Sequence, residues 1–225
     1  MDGGQYPDLY EAGTDLALEP LDYDPSLVGY WKLDEGSGST AYDYSGHGND
    51  GQWHGTAAGT SGYYSAGHGQ SWAGYFDGST DYIPISALMK PRNATVDLWL
   101  ETNTSSISNP AMYFNGAYNA RVFSKPLQFE WDNGQGTVSS GITPVIRQWN
   151  QVAVAINSSM IASIYVDGVL EATGNPGAAG TSWGTDLIGH DYSYNTFFNG
   201  SIQDIRIYNR TLSTAEIQAI YNAEK

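Results

Sequence analysis

The chain has 225 residues, of which 27 are glycine and 13% are aromatic, and it contains no cysteine. Its 24 acidic side chains outnumber its 9 lysines and arginines, so the formal charge of -15 repels nucleic-acid phosphates and anionic lipid head groups. This composition argues against a nucleic-acid partner and a thiolate metal site, and no apolar run approaches the ~20 residues that insert into a bilayer.

Residues 1–26 are acidic, contain proline and lack a strand pattern, so we interpret them as a leader or linker. Residues 27–225 are predicted to form one domain, because short β-type runs alternate there with glycine, asparagine, aspartate and serine. The predicted strands cover residues 28–33, 50–55, 73–76, 80–85, 94–102, 111–115, 127–131, 149–156, 161–167, 169–173, 186–190 and 199–207.

A β-hairpin is predicted where residues 161–166 lead to the turn Asp167-Gly168 and a return strand from Val169. An Asp-Gly pair between β-branched residues is typical of the tight turns that join hairpin strands. No amphipathic helices separate the predicted strands, which excludes the parallel sheet of an α/β protein. The sequence therefore predicts an all-β fold, a two-sheet antiparallel β-sandwich of the jelly-roll type.

A short C-terminal helix is predicted to begin after Ser213, with Glu216 at the third helical position. Each of these two side chains can satisfy the free backbone N–H of the other, which defines a capping box. Ile217, Ile220 and Tyr221 then share one face, which must pack against the sandwich because an isolated helix of ~10 residues is marginal. We expect this packing to hold the last strand beside Asp34.

Four blocks, in this order and spacing, resemble laminin-G-like jelly-roll domains of bacteria and archaea, within the concanavalin A-like family. They are VGYWKLDEGSG at 28–38 with DYSGHGNDG at 43–51, YFDGSTDY at 75–82, WNQV at 149–152 with YVDG at 165–168, and FNGSIQDIRIYNRTLS at 198–213. The resemblance implies a sandwich whose first and last strands pair, often with a calcium ion, and a role in binding glycans or other surface ligands. In the leader, residues 10–19 resemble the end of a pseudopilin head domain.

The family-matching blocks contain four candidate ligands for a structural calcium ion (Ca2+): Asp34, Asp43, Asn49 and Asp204. Calcium takes six to eight oxygen ligands, and carboxylates and amides held by glycine-rich loops supply them. The alternative is that these aspartates cap turns through hydrogen bonds to the backbone. The family's usual acidic pair is here Gln203-Asp204, so one carboxylate is replaced by an amide.

Sugar rings stack on aromatic side chains while polar groups bond their hydroxyls, so loop aromatics are the candidate ligand-binding residues. Two regions have this chemistry. The candidates are Tyr63, Tyr64, His68 and Trp72 in the first region, and His190, Asp191, Tyr192 and Tyr194 in the second.

Catalysis has little support in the sequence. Asp97 and Glu101 share a strand face but lie ~13 Å apart at ~3.3 Å per residue, too far for a pair of glycosidase carboxylates. Glu130 and Asp132 have a permissible spacing of ~7 Å, but Gly134 stands where similar glucanases carry a third acidic residue. We therefore expect no enzymatic activity.

The sequence predicts a non-catalytic extracellular or cell-surface module that binds carbohydrate or mediates adhesion. One alternative is a structural domain displayed on a pilus-like filament or other surface protein, and another is a glycoside hydrolase of the same fold. Extracellular placement agrees with five Asn-x-Ser/Thr sequons, at Asn93, Asn103, Asn157, Asn199 and Asn209.

Overall fold

The computed structural model describes residues 24–86, 88, 93–104, 109–114, 120–125, 128–132, 136–177, 185–192 and 194–225, without side chains at 109, 114, 120–125 and 128–132. The pseudopilin-like segment lies outside these residues. Contacts of the domain already begin at Asp24, which pairs with Arg210 near the end of the chain.

The described residues form short strands and one α-helix. In chain order these are β1 Leu27–Trp31, β2 Thr40–Ala41, β3 Gly51–Gln52, β4 Tyr64–Ala66, β5 Trp72–Asp77, β6 Ile83–Ile85, β7 Ala94–Thr102, β8 Asn109–Phe114, β9 Ala120–Lys125, β10 Gln128–Asp132, β11 Thr137–Ser139, β12 Asn150–Ile156, β13 Ala162–Val166, β14 Val169–Gly174, β15 Asp186–Ile188, β16 His190–Asp191, β17 Thr196–Phe197, β18 Asn199–Tyr208 and α1 Thr214–Glu224.

The strands build two antiparallel sheets, which confirms the predicted all-β sandwich. The large sheet has the order β14-β13-β12-β7-β18-β5-β4, with β1 also paired to β18, and the small sheet has the order β11-β10-β9-β8-β15-β6. First and last strands therefore pair, as the resemblance implied. The unpredicted strands are β2, β4, β9, β11 and β17, most of them only two or three residues long and without a run of β-branched residues.

The predicted hairpin forms β13 and β14. Its turn residues, Asp167 and Gly168, have φ angles of 51° and 75°, the left-handed conformation that a type I′ turn requires at both positions. The Asp167 carboxylate also accepts hydrogen bonds from the backbone N–H of Gln151 (2.9 Å) and the side-chain amide of Asn150 (3.0 Å). The turn is thereby attached to the neighbouring strand β12.

The two faces of the large sheet have different partners. On β7, Val96, Leu98 and Leu100 face the small sheet and belong to the main core. On the opposite face a second buried cluster lies under α1. Its members are Leu27, Tyr30, Ala153, Ala155, Tyr165, Tyr208, Leu212, Ile217 and Ile220.

The capping box is confirmed. The Ser213 hydroxyl accepts from the N–H of Glu216 at 3.3 Å, and the Ser213 N–H donates to the Glu216 carboxylate at 2.7 Å. Glu216 also pairs with Arg210 at 2.6 Å, which lowers its pKa to about 2. The helix thus starts at a fixed point and lays Ile217 and Ile220 on the sheet, as predicted.

The packing of α1 can be measured through Ile217, which is fully buried. We expect Ile217→Ala to lower the free energy of unfolding by about 2–5 kcal/mol, because it removes buried methyl groups and leaves a cavity. Gln218→Ala, on the exposed side of the same helix, should change it by less than about 0.5 kcal/mol. Equal denaturation midpoints for the two variants would contradict the docking of this helix.

Candidate functional site

Two of the four predicted calcium ligands, Asp43 and Asn49, are held by hydrogen bonds within one loop. The Asp43 carboxylate accepts from the backbone N–H groups of Tyr30 (2.9 Å), Ser45 (2.9 Å) and Asn49 (2.8 Å). The Asn49 side-chain amide donates to the carbonyl of Val28 at 3.0 Å. Burial raises the pKa of Asp43, but these hydrogen bonds outweigh it, so the pKa is lowered overall. This is the geometry of a turn cap.

The other two, Asp204 and Asp34, lie in different surroundings. Asp204 sits at an irregularity in β18, and its carboxylate accepts from the Tyr30 hydroxyl and the Gln203 amide, each at 3.0 Å. Its N–H donates to the carbonyl of Lys32 at 3.1 Å, while the side chain of Asp34 is exposed. Among the described residues no group of three or more histidines and carboxylates is arranged to hold a metal. The four residues do not fit a calcium site as a set, and calcium binding stays a prediction.

Arg206 lies at the centre of a buried polar network beneath α1. Its guanidinium pairs with Glu224 of the helix at 2.6 Å, donates to the Tyr30 hydroxyl at 2.7 Å and lies 4.1 Å from the centre of the Tyr30 ring. The indole N–H of Trp99 donates to the same Glu224 carboxylate at 2.7 Å. The last turn of the helix is thus fastened to β18, β1 and β7.

Asp97 is fully buried in the same region. One carboxylate oxygen accepts from the Gln151 amide at 2.6 Å, and the other has no hydrogen-bond partner among the described residues. Burial, followed by the charges of Glu224 and Asp204, raises its pKa well above the usual value, although Arg206 and Gln151 oppose the shift. Asp97 is therefore a poor candidate for a surface carboxylate that meets substrate.

In the first predicted ligand region, Tyr63 and Tyr64 pack inside the domain. Tyr63 stacks on Trp53 with 4.8 Å between ring centres, and its hydroxyl donates to the carbonyl of Gly55 at 3.2 Å. Tyr64 is 0% exposed and belongs to the main core, so its expected ligand contact is corrected. Its position in the short strand β4, which the sequence did not reveal, directs the ring inward.

The other two residues of that region, His68 and Trp72, contact different parts of the domain. His68 stacks on Trp99 at 4.1 Å on the α1 side of the large sheet, and its backbone N–H donates to Gln203 at 2.7 Å. Trp72 is 38% exposed and lies against Gly36. The four aromatic residues therefore do not converge on one binding surface.

Two residues of the second predicted region, His190 and Tyr192, belong to a group of contacting rings that we call the end cluster: His54, Tyr82, His190, Tyr192 and Phe197. Two pairs of backbone contacts assemble it. His54 and Tyr82 form an isolated β-bridge with reciprocal hydrogen bonds of 2.9 and 3.1 Å, and His190 pairs with Phe197 between β16 and β17.

The rings of the end cluster are in contact throughout. Ring centres are 4.9 Å apart for His54 and Tyr82, 5.3 Å for Tyr82 and His190, and 4.1 Å for the stacked pair of His190 and Phe197. Tyr192 meets His190 edge-on at 6.3 Å. Tyr192 is 72% exposed, whereas His190 is 6% exposed, so the cluster extends from a buried histidine to a tyrosine on the surface.

Polar groups accompany these rings. Asp191 is buried and accepts from the N–H of Tyr194 at 3.4 Å, and the side chain of Tyr194 is 66% exposed. His190 is 6% exposed, and its Nε2 atom has no hydrogen-bond partner among the described residues. Burial lowers the pKa of His190, with Asn195 and Asp191 opposing the shift, so the imidazole is neutral at pH 7.

Sequence reasoning missed His54 and Tyr82. They are separated by 28 positions and are brought together only by the bridge between their backbones. The single available signal was that Tyr82 closes one of the family-matching blocks. The proximity of Asp97 and Arg206 was also not predicted from the sequence. The available signal was a charged side chain between apolar neighbours in each of their strands.

The sequence matches the family model described as the concanavalin A-like lectin/glucanases superfamily over residues 76–218, more than half of the chain. The chain belongs to this superfamily. No curated protein matches the sequence. The described part of this superfamily member contains no helix long and apolar enough to cross a membrane.

Solved structures share the fold at low sequence identity. Domain 4 of AbnA, a GH43 extracellular arabinanase from Geobacillus stearothermophilus solved in complex with arabinotriose, is 16% identical with a TM-score of 0.70, over 87% of this chain and 98% of that one. The receptor-binding domain of the botulinum neurotoxin C/D mosaic serotype is 14% identical with a TM-score of 0.63, over 88% of this chain and 51% of that one. This chain thus spans about half of the neurotoxin domain.

Calcium and turn capping by Asp43 predict different melting behaviour. If Asp43 is a cap, Asp43→Ala removes the acceptor of three N–H groups and should lower the free energy of unfolding by about 1–3 kcal/mol, equally in EDTA and in excess CaCl2. Asp34→Ala, at an exposed position, serves as the control. A melting temperature that rises with calcium in the wild type and not in Asp43→Ala would instead establish the ion site.

The raised pKa of Asp97 predicts a pH dependence of stability. The folded state binds this proton more tightly than the unfolded state, so the contribution of Asp97 is full below its unfolded pKa of about 3.9 and is lost as pH rises through the folded pKa. Asp97→Asn cannot lose a proton there. The difference between the melting temperatures of Asp97→Asn and the wild type should therefore shift in favour of the variant as the pH rises above the unfolded pKa, and a difference that is constant with pH would contradict this assignment.

Proposed function

We propose that this domain is a carbohydrate-binding module and that the end cluster is its ligand site. The observation that carries the proposal is a group of contacting rings: the mostly exposed Tyr192 meets His190, and Phe197 contacts both His190 and Tyr82. Apolar faces of sugar rings stack on such surfaces, and a few polar groups at the same place fix their orientation. The most exposed ring of the first predicted region, Trp72, is only 38% exposed.

Structural neighbours support a glycan as the ligand class. One is an arabinanase domain solved in complex with arabinotriose, and another is a botulinum neurotoxin DC binding domain solved in complex with a sialylated ligand, with 14% identity and a TM-score of 0.63. Identity at this level carries over the fold and not the binding residues. Arabinotriose and a sialylated trisaccharide are therefore the first two probes rather than assigned ligands.

We further propose that the module is non-catalytic and extracellular. Asp97 is buried under α1, so the Asp97 and Glu101 pair offers no open site on the large sheet. The side chains of Glu130 and Asp132 lie outside the described residues. The hydrolase alternative is therefore tested by comparing the polysaccharide hydrolysis of the wild type with that of Glu130→Gln. Attachment to a larger surface protein or filament is the corresponding proposal for how the module is displayed.

Binding to an array that includes arabinotriose and a sialylated trisaccharide tests the proposal. We expect the wild type to bind at least one glycan, and Tyr192→Ala to weaken that binding by about 10-fold or more, because a stacked aromatic contributes about 1.5 kcal/mol. The melting temperature of this variant should stay unchanged, since the side chain is 72% exposed.

Tyr44→Ala is the matched control, as Tyr44 is 49% exposed on the loop after β2. It should retain full affinity. Loss of binding in Trp72→Ala with normal binding in Tyr192→Ala would move the site to the first region. Failure of the wild type to bind any glycan would refute the carbohydrate function itself.

A further inference from the structure

His190 contains a buried polar atom that the fold does not use. The side chain is 6% exposed, and Nε2 has no hydrogen-bond partner within the described part of the chain. A buried nitrogen without a partner destabilises a folded protein, and natural structures rarely keep one without a reason. A phenylalanine would supply the same flat ring at this position without that cost.

His190 packs through the face of its ring, and Asn195 forms a side-chain hydrogen bond with the imidazole. Its face stacks on Phe197 at 4.1 Å with an interplanar angle of 10°, and Tyr82 lies 5.3 Å away. Both neighbours are partly exposed, so the imidazole lies directly beneath the surface of the end cluster and not in the main core. The polar atom is thus placed where a ligand on the cluster would come closest.

We propose that His190 is a specificity residue of the glycan site, with Nε2 forming a hydrogen bond to a hydroxyl group of the bound sugar. This inference rests on the proposed function. A neutral imidazole nitrogen pairs with a hydroxyl group either as acceptor or as donor. A ligand without a hydroxyl at that place would leave the nitrogen unpaired, and sites of this kind reject such ligands strongly.

Tyr192 would hold a stacked ligand beside His190. Its ring meets His190 edge-on at 6.3 Å and is 72% exposed. A sugar ring stacked on Tyr192 would therefore lie next to the imidazole. Stacking and hydrogen bonding would come from the same small surface.

The test is His190→Phe, compared with His47→Phe, which changes an exposed histidine outside the end cluster. For the ligand-free protein we expect the melting temperature of His190→Phe to equal that of the wild type or to rise by about 2–6 °C, because the unpaired nitrogen is removed. The affinity for the glycan that binds the wild type best on the array should fall at least 10-fold. His47→Phe should change neither quantity.

Two results would overturn the role of His190. A melting temperature that falls in His190→Phe would show that the nitrogen supports the fold, and unchanged glycan affinity would show that it does not contact the ligand. If the wild type itself binds no glycan, the proposed function fails and this inference fails with it. Wild-type binding with an unaffected His190→Phe variant removes only the inference.

Discussion

The pairing of β1 with β18, and the docking of α1 on the outer side of that pair, is the constraint on which the domain depends. Arg206 joins the three elements, since it belongs to β18, contacts Tyr30 of β1 and forms an ion pair with Glu224 of α1. A charge this deeply buried requires its partner, because either group alone would lose hydration without compensation. The helix is therefore part of the fold and closes its outer face.

The segment just before this last strand positions part of the end cluster. Phe197 and Phe198 alternate, so that Phe197 reaches the aromatic surface while Phe198 is fully buried against Phe76 of the main core. Gly189 permits the close approach, because a side chain there would collide with the Phe76 ring and its φ is 80°. His190 and Phe197 are thereby anchored to paired strands, and an anchored surface loses little conformational entropy on binding.

Buried polar groups occur in two different settings. Arg206 lies where α1 closes the large sheet and is paired with Glu224, while Asp97 nearby accepts from Gln151 and keeps one oxygen without a partner among the described residues. The neutral His190 lies beneath the end cluster, and its Nε2 atom has no partner in the described part of the chain. The first setting ties the helix to the sheet, and the second is where we propose that a ligand completes the hydrogen bonding.

Local rules of the sequence determined the fold class, the hairpin turn at Asp167-Gly168 and the helix start at Ser213, because each depends on residues within a few positions of one another. Tertiary structure alone decided that Tyr64 is core, that Asp43 accepts from the N–H of Tyr30, and that His54 meets Tyr82. These outcomes depend on strands distant in sequence that are paired by the sandwich. The type of a side chain indicates which interactions it can make, but the pairing of distant strands decides which side chains lie close enough to make them.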